Sequence, residues 1–496
     1  MRHDLTRFVL LRGLGAMWFV TFFIWWNQAP LLVGEHGLTP LRLFLDDVTQ
    51  EFGGDGLTRL PTIFWLDHSD VAIAAVGAVG TVLGAAVMFG LTNAAVQIVL
   101  WLLYVSIMNA GQDWYGYGWE LLMCEVGFLS IFLCPLTSWS PRGLAPMSAI
   151  PVWSFRWLVF RVLLGAGLIK LRGDPCWREL TCLIWHYETQ PNPHPLSWYF
   201  HHLPHWVNEG GVAYNHVVEL VAPWFVFGPK WPRRIAAGLL TVFQLLLIAS
   251  GNLAFFNWLT LILGLSLLDD EVFDRLLPRL RGWLATKEIE RAGPLRGLRK
   301  ITLALAVALV AWRSAPVVRN LFFSDHQAMN RGYDPLHLVN TYGAFGSVGQ
   351  TREEAVIQGT TDDPSDPDAA WVDYEFPCKP GDPMRRPCFI TPYHLHLDWQ
   401  MWFIPLQGLD DHPWVANLLA KLLQNDPLAR SAFVDPPFAD TPPRAVRLAR
   451  FEYHFTDWGE PGWWTRTAKG NYVRPLTIDD PALVRILHKH GWDGSR

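Results

Sequence analysis

KLRGDPCWRELTCLIWHYETQPNPHPLSWYFHHLPHWVNEGGVAYNHVVE, residues 170–219, lies between two strongly apolar segments. It is too polar to cross a bilayer and too aromatic for a solvated linker, so it belongs at a membrane surface, where Trp and Tyr collect. The rest of the chain agrees. Of 496 residues, 51% are hydrophobic and 17% charged, and there are 27 tryptophans. Soluble domains carry about 25% charged residues, so this is the composition of a multi-pass membrane protein. A net charge of −5 without a basic tract excludes a nucleic-acid partner.

Apolar runs of roughly 17–25 residues can span a bilayer as helices. Such runs fall at 13–33, 71–91, 93–110, 119–136, 153–171, 212–228, 235–251, 254–268 and 300–322. The fold expected is therefore an all-α polytopic bundle of about nine spans over residues 1–322, with an aromatic and His-rich extracytoplasmic loop at 172–211. Arg2, Arg7 and Arg12 flank a retained first span without a small-residue cleavage site and place the N-terminus in the cytoplasm. Arg142, the Lys230–Arg234 group and the basic loop 269–299 then share that side. Loops 34–70 and 172–211 and everything after about 323 share the other, together with Cys176, Cys182, Cys378 and Cys388. Disulfides persist in such compartments.

Residues 323–496 read as a soluble lumenal or periplasmic α+β domain. Strands are expected at VNTYGAFGSV (339–348), EEAVIQGT (353–360), WVDYEF (371–376), CFITPYHLHLDW (388–399) and 445–455, and a helix at 414–424. Cys378 and Cys388 bracket a turn-rich loop that can close as a disulfide hairpin, and Cys176–Cys182 reads as a structural disulfide rather than a C-x-x-C redox pair. His394 and His396 would share one strand face as a polar stripe; a metal needs three or four convergent ligands, so no metal is expected. Nucleotide and metalloprotease motifs are missing, and no cofactor is expected.

Polar residues inside spans are functional candidates by default. Here they collect at the outer halves: Asn27, Gln28, Asn109, Glu120, Glu125, Lys170, Asn215, His216, Glu219, Asn252 and Asn257. Two readings stand, a polar pocket roofed by 172–211 or helix–helix glue. His216 and Glu219, three apart, would pair on one face. Lys170 either snorkels to the interface or, buried, serves as a base. Arg161, deeper in its span, requires a carboxylate on a neighbouring helix.

Several unusual strings place the chain close to a known family. They are GQDW (111–114), GDPCWRELTC (173–182), HYETQP (186–191), NH (215–216), SGNL (250–253), FNWLT (256–260) and NTYGAFGSV (340–348). The tail adds DYEF, CKPGDP and RRPC between 373 and 388, then YH and LDW at 393–399. In these the chain resembles the lipase maturation factor family. The resemblance implies a multi-pass protein of the endoplasmic reticulum membrane, or of the cytoplasmic membrane in a bacterium, that helps secreted lipases fold and assemble. Its partners would be a secreted lipase-like client and membrane lipids. Clients would bind residues of 323–496, including Tyr342, Phe345, Tyr393 and Trp399. A shorter segment, AGLIKL (166–171), is similar to the active-lysine segment of vitamin K-dependent γ-glutamyl carboxylases. That likeness implies an alternative: a membrane enzyme with catalytic candidates Lys170, His186, His216 and Glu219, acting on a lipid, quinone or peptide. The carboxylases' large substrate-binding ectodomain has no counterpart in the chain.

Overall fold

The computed structural model describes residues 3–135, 149–280 and 295–495. The arginines and lysine at 2, 142, 281, 287 and 291, on which part of the charge argument rests, lie outside the described residues. Every apolar run named above is helical over most of its length. The principal bundle helices are α1 (Asp4–Val33), α2 (Asp70–Met88), α3 (Ala94–Ala110), α4 (Gly118–Ile131) and α5 (Ile150–Arg172). They continue with α6 (His205–His216), α7 (Lys230–Ser250), α8 (Phe256–Gly264) and α9 (Leu295–Phe323). Five are long and apolar enough to cross a bilayer, in α1, α2, α5, α7 and α9. The others are shorter, so the structure supports an integral membrane protein with several spans.

Small residues set the tightest packing. Gly77, Gly80 and Gly84 form a stripe on α2, and a Cβ at Gly80 would stand 2.1 Å from the Phe22 ring of α1. Such stripes let membrane helices approach closely and gain dispersion contacts where no hydrophobic drive operates. Capping is local: the Ser69 hydroxyl accepts from Ala72 N–H, and Asn93 Oδ1 from Val96 N–H.

The bundle has two distinct ends. At one, Asp270 accepts from the Leu5 and Thr6 amides that open α1 (2.9 and 3.2 Å), while Arg233 and Arg234 pair with Asp269. At the other, the tail packs on the helix ends, and one apolar core runs from Trp18 and Leu122 to Leu418 and Leu448.

A four-stranded antiparallel sheet in order β2-β1-β3-β4 organises the tail. Its strands are β1 (Arg352–Thr360), β2 (Val372–Asp373), β3 (Ala445–Phe455) and β4 (Trp464–Leu476). β1 and β3 and the helix Trp414–Leu423 fall where patterning expects them. Three expectations are corrected. Residues 339–348 form no strand: the backbone of Asn340 bonds Glu125 and Arg161 of the bundle, Thr341 and Gly343 N–H donate to Arg331 O and Asn330 Oδ1, and the Phe345 and Gly346 carbonyls accept from Trp177 and Asp174. The WVDYEF strand shrinks to two residues. CFITPYHLHLDW is an irregular segment ending in the helix His396–Met401, so His394 and His396 do not share a strand face. Its extended part is pinned by bundle side chains instead of a β partner.

Both cysteine pairs, Cys176–Cys182 and Cys378–Cys388, are disulfide-bonded. Loop 172–211 wedges between bundle and sheet. Gln190 Nε2 and Ser197 Oγ donate to the Ser250 carbonyl at the end of α7, and Trp198 Nε1 donates to Thr456 O beyond β3.

Candidate functional site

Lys170 ends its helix facing inward. Only 6% of its side chain is exposed, so it does not snorkel. Its Nζ donates to both Glu219 oxygens (2.7 and 2.8 Å) and to Asn215 Oδ1 (2.9 Å), and lies 4.9 Å from the Trp177 ring centroid. An ammonium has three N–H donors, and these three contacts occupy them. Two local features bring the groups together. Gly167, one turn before Lys170, clears space for Leu220 and Glu219. After α6 the chain makes a π-turn at Val217–Val221, a widening often found where a helix presents functional groups.

The expected His216–Glu219 pair does not form. His216 Nε2 contacts the Trp177 carbonyl (2.9 Å), while Asn215 Nδ2 donates to Glu219 Oε2 (2.9 Å). Lys170 competes successfully for the carboxylate because a full cation on α5 faces it. Sequence spacing along one helix carries no information about that neighbour. His186 is buried, and desolvation, with a smaller push from the nearby Lys170 charge, lowers its pKa to about 4. The imidazole is therefore neutral near pH 7, its ring edge-on to Phe345 at 4.7 Å.

Beside this cluster a cavity of about 320 Å³ opens between α5, α7, α8 and the tail segments 343–347 and 399–407. Val162, Ala166, Phe243, Leu247 and Phe256 supply apolar walls, with Lys170 and Glu219 at the edge.

The second buried cation on α5, Arg161, has the carboxylate its depth demands. It pairs with Glu125 of α4, both side chains being at most 1% exposed. Arg161 Nη1 also donates to the Asn340 carbonyl (2.9 Å). Glu125 Oε2 accepts from Tyr342 O–H (2.8 Å) and Asn340 N–H (3.1 Å). The ion pair thus holds the NTYG segment of the tail.

Other polar span ends do the same. Gln28 Nε2 donates to His394 O (2.6 Å), and its Oε1 accepts from His396 N–H (3.0 Å). Asn109 donates to Pro335 O (3.0 Å) and meets His337 Nε2 (2.8 Å). Asn252 donates to Cys388 O (2.9 Å) and accepts from Ile390 N–H (3.0 Å). Their position in the sequence suits pocket lining or helix glue equally; the structure makes them docking points for the tail, a role with no local sequence signal.

Glu120 is fully buried, with Oε1 3.8 Å from His396 Nε2. His396 stacks on Tyr115 (4.3 Å) and meets the His394 ring edge-on at 4.6 Å. Burial pushes the His394 pKa down to about 3 and that of His396 well below its ordinary value. Nearby, burial raises Asp398 to about 6 despite its bond from Cys378 N–H. Of the aromatic residues expected to meet clients, Tyr342 and Trp399 are buried at this seam, while Phe345 and Tyr393 are half-buried. Among the described residues, no group of three His, Cys, Asp or Glu side chains could hold a metal.

Comparison with known proteins places two family models on the chain. The lipase maturation factor transmembrane domain matches residues 5–275, and the lipase maturation factor C-terminal domain matches 338–474. Lipase maturation factor 1 of Bos taurus is 44% identical over 96% of this chain and 90% of its own length. The Homo sapiens protein of the same name is 42% identical over 98% and 90%. Lipase maturation factor 2 of Gallus gallus is 28% identical over 98% and 83%. No solved structure matches the chain.

Proposed function

The chain belongs to the lipase maturation factor family, and from that premise we propose that it is a membrane-bound factor assisting the folding and assembly of secreted lipases. The observation that carries this reading is similarity along nearly the whole chain to a protein named for lipase maturation, embracing bundle and tail alike. The bundle, with nine spans in this reading, anchors residues 323–496 on the lumenal or periplasmic side and leaves the N-terminus in the cytoplasm. Clustering of tail and both disulfides at one bundle end, opposite Arg233 and Arg234, supports that orientation. The membrane is that of the endoplasmic reticulum, or the cytoplasmic membrane of a bacterium.

The tail works as a rigid client platform. Tyr342 and Trp399 fix it from beneath, and clients meet outward apolar residues such as Met384 and Trp458, each more than 60% exposed. Lys170 serves as a structural cation in this account.

The test is rescue of a secreted dimeric lipase in cells lacking the protein, scored as activity per lipase molecule. Wild type and Lys170→Arg should rescue. Deletion from Ser324, or Met384→Ser with Trp458→Ser, should not. Failure of wild type to rescue would remove the lipase assignment. Rescue by wild type but not by a normally expressed Lys170→Arg would favour chemistry at the lysine.

A further inference from the structure

Helix α5 carries a third buried cation, at the bundle end opposite the tail. Arg156 is 1% exposed, as deep as Arg161, yet among the described residues no carboxylate pairs with it. Asp269, the carboxylate whose charge reaches it, is held by Arg233 and Arg234. Asp270 accepts from the amides that open α1. Of the five guanidinium N–H groups, the one on Nε has an acceptor, the Ser266 carbonyl at 2.9 Å, and Nη2 is buried without one.

The surroundings offset this charge only in part. Ser266 belongs to the 3-10 turn Leu265–Leu267 that ends α8. A helix C-terminus carries about half a negative charge, and here Arg233 shares it, donating from Nε to the Leu267 carbonyl at 2.7 Å. Arg233 has Asp269 besides; Arg156 has no carboxylate. The Trp153 ring, 4.8 Å from the Arg156 Cζ, adds a cation–π attraction and no counter-charge. A charged group buried at membrane depth demands a partner. Arg161 meets that demand with Glu125; Arg156 leaves it open.

Its position shows where a partner can come from. Arg156 stands three residues inside the apolar run 153–171, about 5 Å past its start at 1.5 Å per residue. Lipid headgroups meet hydrocarbon at that level. Trp153 is 41% exposed and stacks on Phe227, which is exposed as well. Aromatic residues collect at this boundary, and the guanidinium lies one side chain beneath them.

We propose that Arg156 binds the phosphate of an anionic glycerophospholipid in the leaflet at the bundle end opposite the tail. Trp153 turns aside on the lipid face, and two phosphate oxygens take the free Nη1 and Nη2 protons in the forked geometry that suits guanidinium. Around the site Lys230, Arg233 and Arg234 pair with Asp269 and Glu271, three cations on two carboxylates before Arg156 is counted. A headgroup with a net negative charge fits that balance; a choline headgroup would bring another cation. The site is independent of the lipase reading.

The test is native mass spectrometry of the full chain released from nanodiscs holding equal parts of phosphatidylcholine and phosphatidylglycerol. Wild type and Arg156→Lys should retain phosphatidylglycerol at least about tenfold over phosphatidylcholine, and Arg156→Gln should lose that preference. Inorganic phosphate in excess should not displace the lipid, because the free ion has no acyl chains to pack on the bundle. Equal retention of both lipids by wild type, undiminished preference in a folded Arg156→Gln, or displacement by inorganic phosphate would each overturn the proposal. Should Arg156→Gln not fold, photoreactive phosphatidylglycerol on the wild-type protein decides. Displaceable label at 153–157 or 227–233 supports the site, and label confined to other segments overturns it.

Discussion

Arg161 and Lys170 stand on the same helix, each buried against a carboxylate from another element, and they have opposite settings. Arg161–Glu125 is sealed, and its spare hydrogen bonds go to Asn340 and Tyr342 of the tail. Lys170–Glu219 is assembled within the bundle and borders a cavity. The first pair joins two parts of the chain. The second shapes a wall. Burial alone does not separate them, since both are desolvated; what separates them is where the remaining donors and acceptors point.

Removing one member of a sealed pair leaves a buried charge uncompensated. Glu125→Ala should therefore have the largest effect, a loss of about 3–5 kcal/mol, read as a lower thermal midpoint in nanodiscs. A shift indistinguishable from that of an exposed-site variant would break the comparison.

Lys170→Met should cost less, about 1–3 kcal/mol. Asn215 still donates to Glu219, and the cavity gives the carboxylate access to water. Paired with Glu219→Gln, it should recover most of that loss, as coupled partners do; a double variant as unstable as the sum of both would show that the two side chains are not coupled.

Acid should loosen the seam. His186, His394 and His396 have folded pKa values below their ordinary one, so the unfolded chain binds their protons first, and the stability of the neutral buried rings is lost as pH falls below about 6.5. Asp398 works the other way, because its raised folded pKa of about 6 means the folded state takes its proton first. Three groups against one leave a net loss on the order of 1–3 kcal/mol per pH unit between pH 6 and 5. Melting curves at pH 7.5, 6 and 5 check the sign, and a midpoint that rises toward pH 5 contradicts it.

Trp458→Ser should be the mildest for stability, within about 1 kcal/mol, because the residue is 64% exposed and its ring meets Trp198 edge-on at 4.5 Å. Lipase rescue should nonetheless drop several-fold in the cell assay. Unchanged rescue would move the client surface elsewhere on the tail.

Much of this was legible in the sequence. Apolar runs gave the helices, since hydrophobicity acts locally, and cysteine spacing gave both disulfides. The need of Arg161 for a carboxylate followed from the cost of a lone buried charge. Other features depend on distant partners. β4 was not assigned because WTRTAKGNYVRPL lies at a sheet edge, with only Trp464 and Leu476 buried, and so lacks an alternating apolar face. NTYGAFGSV reads as a strand but spends its polar groups on Arg161 and Glu125. Gln28, Asn109 and Asn252 stood out as polar span ends, yet nothing beside them in sequence names the tail as their partner.

The central claim is that Glu125 fastens the tail while Lys170 does not. Hydrogen exchange of the backbone amides at 338–345 tests it most directly, comparing wild type, Glu125→Ala and Lys170→Met in the same nanodiscs. The account predicts that Glu125→Ala speeds exchange there by about tenfold or more, whereas Lys170→Met leaves it within about twofold of wild type. Equal acceleration in both variants, or protection retained without Glu125, would contradict it.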